Sequence, residues 1–218
     1  MTVVESFAPS HSPASRLKIG FLASHNGSSM RAIVAAIDAG RLAAEPVLVV
    51  SNNAEAPALA FARARGIPAR HISRTALGEA DPDPAIAAAL GEAGAELVVL
   101  SGYMRKLGPA TLARFRGRIL NIHPALLPKY GGQGLYGRRV HDAVIAAGER
   151  KSGISIHLVD DEYDHGPVLA RLEVPVEPGD TAETLEKRVQ AAEPAFYVET
   201  VRRIVEGGLA LPDRGAGA

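Results

Sequence analysis

The stretch Arg118-Ile-Leu-Asn-Ile-His-Pro-Ala-Leu-Leu-Pro-Lys-Tyr-Gly-Gly132 is the segment on which the fold turns. An apolar run carries Asn121 and His123 to its end, and Pro124 and Pro128 then stop any regular element. Gly131 and Gly132 leave the backbone beyond them loose. Residues two apart on a strand point to one face, so Asn121 and His123 are predicted to project together from a strand's C-terminal end. An amide offers a donor and an acceptor, and an imidazole moves a proton near neutral pH. That pair suits a reaction that develops an oxyanion and transfers a proton.

Working outward, four earlier apolar runs read as strands: Leu17–Ala23, Val47–Val50, Ile67–Ile72 and Glu96–Gly102. Helical patterns lie between them, through Met30, Ile33, Val34 and Ile37, through Ala58 to Arg65, and from Asp83 to about Ala93. Asp83-Pro84 reads as an N-cap with Pro at the first helical position. Pro109 opens a further short helix before the strand Arg118–His123. Strands alternating with helices predict an α/β fold with a mostly parallel sheet covered on both faces. Ligands in such sheets bind beyond the strands' carboxyl ends. Three loops fall there: Ser24–Ser29, Gly102–Lys106 and Asn121–Gly132. Free N–H groups of the first, at a helix start, suit an anion, although a tight turn with a Ser N-cap explains the same residues.

Downstream, Val140, Ala143, Val144 and Ala147 give one helix face, with His141 beside it as a structural histidine. Gly153–Val159 alternates Ile154, Ile156 and Leu158 with Ser155 and His157, which puts His157 on the opposite face without chemistry. This run and Val168–Val176, joined by a short acidic turn, predict an antiparallel C-terminal addition to the sheet. Asp180 with Glu183 resembles a capping box. The helix beyond it should kink or break at Pro194 and resume through Val201 and Ile204.

Composition excludes several classes. The chain of 218 residues has 24 basic and 24 acidic residues and only 5% aromatics, so nothing marks a polyanion-binding or base-stacking surface. Cysteine is absent, which removes thiolate nucleophiles and Cys-ligated zinc and is compatible with a reducing cytosol. No HExxH pair and no Gly-x-Ser-x-Gly elbow occurs. No apolar stretch is long enough to span a membrane. Met1 to Arg16 reads as a disordered tail, residues 17–211 as one domain and residues 212–218 as a frayed end.

In the acidic turn Asp160-Asp-Glu-Tyr-Asp-His-Gly166, Asp164 is the third candidate for chemistry. A carboxylate within reach of His123 would raise the imidazole pKa, orient the ring and help draw a proton from an attacking amine. A solvated acidic turn is the alternative, and the spacing does not fit an EF-hand.

The whole pattern resembles the glycinamide ribonucleotide formyltransferase family, from Lys18 to about Val205. The match rests on Asn121-Ile-His-Pro-Ala-Leu-Leu-Pro-Lys-Tyr, Gly102-Tyr-Met-Arg-Lys-Leu107, Gly153-Ile-Ser-Ile-His-Leu-Val159, Asp161-Glu-Tyr-Asp164 with Gly166-Pro-Val, and Arg188-Val-Gln-Ala-Ala-Glu193. The resemblance implies a Rossmann-like formyltransferase fold with a phosphate-binding N-terminal half and a folate-binding C-terminal half. It implies 10-formyltetrahydrofolate as co-substrate, the glycinamide ribonucleotide amine as acceptor, and no metal. Asn121 would bond the oxygen of the tetrahedral intermediate. Protonated His123 would stabilise it and supply a proton to the departing folate nitrogen, and Asp164 would hold His123 charged. Asn26, Gly27, Ser28 and Ser29 would hold the phosphate, with Gln190 and Glu193 at the amine. Met104, Arg105 and Leu107 would line the pterin pocket, helped by backbone groups of Asp160, Asp161 and Asp164. Partners would be small molecules, with no nucleic acid and no membrane, for a cytoplasmic monomer or homodimer.

The chain departs from the family pattern at His25, where many members have Gly, and at Ala125, where Ser is usual. Gly131–Arg139 is longer and richer in Gly than the common form, which predicts either a mobile lid with added charge from Arg138 and Arg139 or a flexible solvent loop. A methionyl-tRNA formyltransferase would be expected to carry a further C-terminal domain and a formyltetrahydrofolate hydrolase a further N-terminal one. A sugar-nucleotide formyltransferase would share the same trio, and a non-catalytic folate- or nucleotide-binding module would share the fold.

Overall fold

The computed structural model describes residues 16–213. Nearly all of the predicted N-terminal tail and the last five residues lie outside them. Pro212, the described start of the predicted frayed end, is fastened: its carbonyl accepts from Arg118 at 2.8 Å.

Five strands are parallel: β1 (Leu17–Leu22), β2 (Ala44–Ser51), β3 (Ala69–His71), β4 (Leu97–Leu100) and β5 (Ile119–His123). β6 (Lys151–Leu158) runs antiparallel to β5, and β7 (Val168–Pro175) antiparallel to β6. The order is β3-β2-β1-β4-β5-β6-β7. This is the predicted α/β architecture, a seven-stranded, mostly parallel sheet with an antiparallel C-terminal end. The order reverses between β1 and β4, the place where open α/β sheets leave a crevice.

Helices cover both faces because the parallel strands are apolar on both sides. Ile19, Phe21 and Val99 pack against α1 (Ser28–Asp38), α2 (Pro57–Ala64) and α6 (Ala182–Val205). Leu22, Leu48 and Val98 face α3 (Asp83–Glu92) and α4 (Pro109–Arg114). Burying one such aliphatic side chain stabilises by about 1.5–3 kcal/mol. The fold has one further helix, α5 (Arg138–Ala146), which packs with α6 against Ile154 and Val174. Tyr197 of α6 is fully buried and donates its hydroxyl to the Leu120 carbonyl at 2.9 Å.

Local predictions fail where a tertiary partner intervenes. Asp83 does not cap its own helix: Pro82 is the cap, and the Asp83 carboxylate accepts from the N–H groups of Gly108, Ala110 and Thr111 at the start of α4. The capping box of α6 is Thr181 with Thr184, because Asp180 is taken by Arg188 at 2.6 Å. α6 runs unbroken through Pro194. Gln190, whose carbonyl loses the helical bond that Pro194 cannot donate, is exposed, and Val189, Tyr197 and Val201 anchor the helix on both sides.

Candidate active site

The predicted face of β5 is real. Ile119 belongs to the α3/α4 side of the sheet and Leu120 to the α1/α6 side, so Asn121 and His123 project to the side of Ile119. Beyond Ile119, the turn after His123 and the acidic turn after β6 close over that face. Register pairs Asn121 with His157 and His123 with Ser155. This corrects the reading of His157 as a residue without a part in the site. Both faces of β6 are buried, and His157, 2% exposed, stands beside Asn121.

The contacts form one cluster. Asp164 Oδ2 lies 3.4 Å from His123 Nδ1, and Asp164 Oδ1 lies 3.4 Å from His157 Nε2. The Gly132 N–H donates to Asp164 Oδ2 at 3.1 Å. The Nε2–H of His123 donates to the Tyr130 carbonyl at 2.8 Å. His157 donates through Nδ1 to the Leu158 carbonyl at 2.8 Å, which leaves its Nε2 lone pair to accept from the Asn121 amide at 3.1 Å. An amide nitrogen carries two hydrogens, so Asn121 keeps one for a ligand.

Asp164 has φ +56, a left-handed backbone that Asp tolerates better than most residues. Close approach also shapes the turn after His123. A Cβ on Gly131 would stand 2.4 Å from Leu127 Cδ2 and 3.1 Å from Asp164 Cβ. Ser155, fully buried, accepts from the Leu127 N–H at 3.0 Å and donates to the Ala125 carbonyl at 2.7 Å.

The electrostatics correct one expectation. Burial pushes the His123 pKa down and outweighs the opposing pull of Asp164, so the imidazole lies below its ordinary 6.5. Burial alone would raise Asp164. The imidazoles of His157 and His123 and the Gly132 N–H outweigh it and hold the carboxyl below its usual range. Glu193 of α6 is pushed up to about 7 by burial and by the nearby Glu186 charge.

These groups open into a cavity of about 770 Å³. His25 and the whole Asn26–Ser29 loop line one wall, Met104 and Arg105 another, and Gln190 and Glu193 a third. The loop reaches α1 through Gly27 in a left-handed conformation, which replaces the predicted Ser N-cap. A Cβ there would meet Met30 and Ala58 at 3.1 and 3.3 Å. Ser29 is buried, the Met30 N–H donates to Ser101 Oγ at 3.0 Å, and no N-cap side chain covers the N–H groups of Ser28 and Ser29.

Other assignments fall outside this wall. Leu107 is buried and borders a separate cavity of about 480 Å³. Asp160 is occupied by the Glu162 N–H and His165, and neither Asp160 nor Asp161 lines the main cavity. Arg138 is paired with Glu186 and is not free for a ligand, whereas Arg139 reaches the cavity beside Tyr136. His141 is 1% exposed, lines the cavity and leaves Nδ1 without a partner.

Comparison with known proteins points the same way. The chain is 39% identical over 206 residues to the chloroplastic phosphoribosylglycinamide formyltransferase of Arabidopsis thaliana, covering 94% of this chain and 70% of that protein. It is 36% identical to phosphoribosylglycinamide formyltransferase of Haemophilus influenzae, covering 90% of this chain and 91% of that one. Glycinamide ribonucleotide transformylase 1 from Symbiobacterium toebii superposes with a TM-score of 0.82 at 35% identity, over 92% of this chain and 93% of its own. Residues 17–201, which carry the anion loop, the Asn121 and His123 strand and the acidic turn alike, match the formyl transferase family, and the chain belongs to it.

Proposed function

We propose that this site transfers the formyl group of 10-formyltetrahydrofolate to the amine of 5'-phosphoribosylglycinamide, giving 5'-phosphoribosyl-N-formylglycinamide and tetrahydrofolate in de novo purine biosynthesis. The relatives named above support the reaction. The single observation that carries the mechanism is the meeting of Asn121, His123 and Asp164 at one cavity that also holds the anion loop.

In this reading the phosphate seats against Asn26, Gly27, Ser28 and Ser29, where helix N–H groups and the positive dipole end favour an anion. Gln190 and Glu193 receive the glycinamide amine. Met104, Arg105 and the backbone at Asp164 border the pterin. The amine nitrogen attacks the formyl carbon, and the carbonyl oxygen gains charge. The free Asn121 hydrogen and the His123 Nε2–H, released from Tyr130, stabilise that oxygen. Negative charge beside His123 raises its proton affinity; the proton shed by the amine reaches the Nδ1 lone pair by way of the Asp164 carboxylate, 3.4 Å away, and Asp164 holds the imidazolium. As the bond to the folate nitrogen breaks, the Nε2 proton of that imidazolium passes to the leaving nitrogen, which balances the reaction. Leu107, Asp160 and Asp161 are left out of the pterin wall, since none of them lines the main cavity. We propose a cytoplasmic setting for the reaction. No helix among the described residues is long and apolar enough to cross a membrane.

The test mixes protein, donor and ribonucleotide and follows folate absorbance. Tetrahydrofolate released only with ribonucleotide present supports the reading. Release without it points to a hydrolase, and no release overturns it. His123→Ala is expected to fold and lose turnover, and unchanged turnover would remove His123 from the mechanism.

A further inference from the structure

We propose that Ser24 is a positioning residue that holds the donor-side loop of the cleft, an inference that rests on the formyl-transfer reading above. Ser24 lies just beyond β1, after Ala23, is 2% exposed and does not line the cavity. Its hydroxyl donates to Asn52 Oδ1 beyond β2 at 2.6 Å and accepts from the Met104 N–H beyond β4 at 2.8 Å. Its own N–H donates to the Gly102 carbonyl at 3.1 Å. One small side chain therefore joins the carboxyl ends of three strands at the reversal in strand order.

The two walls on either side of Ser24 are held differently. The anion loop has its own anchors: Arg31 Nε donates to the Asn26 carbonyl at 2.8 Å, and the Ala58 N–H donates to the His25 carbonyl at 3.0 Å. The Met104 loop lacks strand or helix pairing between Tyr103 and Lys106, and Met104 itself is 52% exposed along the cavity. The Ser24 hydroxyl gives this loop a buried side-chain anchor. Asn121, His123 and Asp164 stand on β5 and the acidic turn, apart from this tie. Loss of the hydroxyl thus loosens the donor wall and leaves the phosphate wall and the reacting groups in place.

The experiment compares wild type with Ser24→Ala and Asn52→Ala. Ser24→Ala is expected to raise the donor KM about tenfold, the scale of one lost hydrogen bond. Its kcat and acceptor KM should stay within about twofold of wild type. Amide exchange at Met104 should quicken by a similar factor, and Asn52→Ala should shift both readouts in the same direction. A serine that merely stabilises the fold would lower the active fraction, and so kcat, with both KM values unmoved; that outcome overturns the proposal. So does an unchanged donor KM with unchanged Met104 exchange. If Ser24→Ala fails to fold, Asn52→Ala is judged by the same two readouts. Wild type without formyl transfer overturns the reading of the site, whereas normal wild-type turnover with an unmoved donor KM in Ser24→Ala overturns only this inference.

Discussion

Asp164 reaches His123 at 3.4 Å only because two backbone reversals bring distant segments together, one at Asp164 itself and one at Tyr130, whose φ is +59. Asp164→Asn keeps the shape and the tolerance for left-handed backbone but removes the charge. Turnover is expected to fall about 100-fold or more, the lower range of what one acid–base group contributes. The folded-state carboxyl is held below its ordinary 3.8, so the stability that it contributes is present above that value and lost as pH falls through the folded pKa. Melting curves of variant and wild type should therefore converge at the acid end, and a gap that widens there would refute the assignment.

The Asn121–His157 hydrogen bond at 3.1 Å makes a second prediction. If His157 aims the Asn121 amide, the two substitutions Asn121→Ala and His157→Ala will not add. A double-mutant cycle on kcat should show a coupling of about 0.5–3 kcal/mol. Additive losses would leave His157 as packing alone.

Glu193 predicts a pH effect of the opposite sense. Its folded pKa, about 7, lies above its ordinary 4.5. Folding then favours the protonated form, so stability falls as pH rises from about 4.5 through 7. Glu193→Gln imitates the neutral acid and should melt higher than wild type at pH 8. The difference should shrink toward pH 5. The acceptor KM of wild type should improve as the carboxyl ionises, and that pH dependence should flatten in the variant.

Gly131 allows a steric prediction. A methyl group there would press on Leu127 Cδ2 and Asp164 Cβ. Gly131→Ala is expected to lower stability by about 1–3 kcal/mol, as overpacking does. Turnover should fall further than the melting temperature alone implies, because the displaced atom carries the Asp164 carboxylate. Full turnover in a folded variant would show that the turn can yield without moving Asp164.

Much of this site was readable from β5, where strand alternation puts Asn121 and His123 on one face. The apolar runs of the parallel strands were equally plain, since strands buried on both sides lack polar interruption. His157 was not readable. Its face looks solvent-exposed by alternation, and only the pairing with β5 and the turns folded over that face make it an inner residue. Asp83 misled for a similar reason. Its carboxylate sits where a local cap would, yet serves the start of another helix. The downward shift of the His123 pKa was also hidden, because spacing reveals a possible partner in Asp164 but not how deeply the pair is buried.

The bond from Tyr197 to the Leu120 carbonyl has a mechanical consequence. Gln190 and Glu193 ride on the helix that Tyr197 pins to the strand bearing Asn121. The groups proposed to receive one reactant and those proposed to act on the other are thus parts of a single stiff bracket. Thermal motion can open the loops around that bracket while the distance between its two arms stays constant.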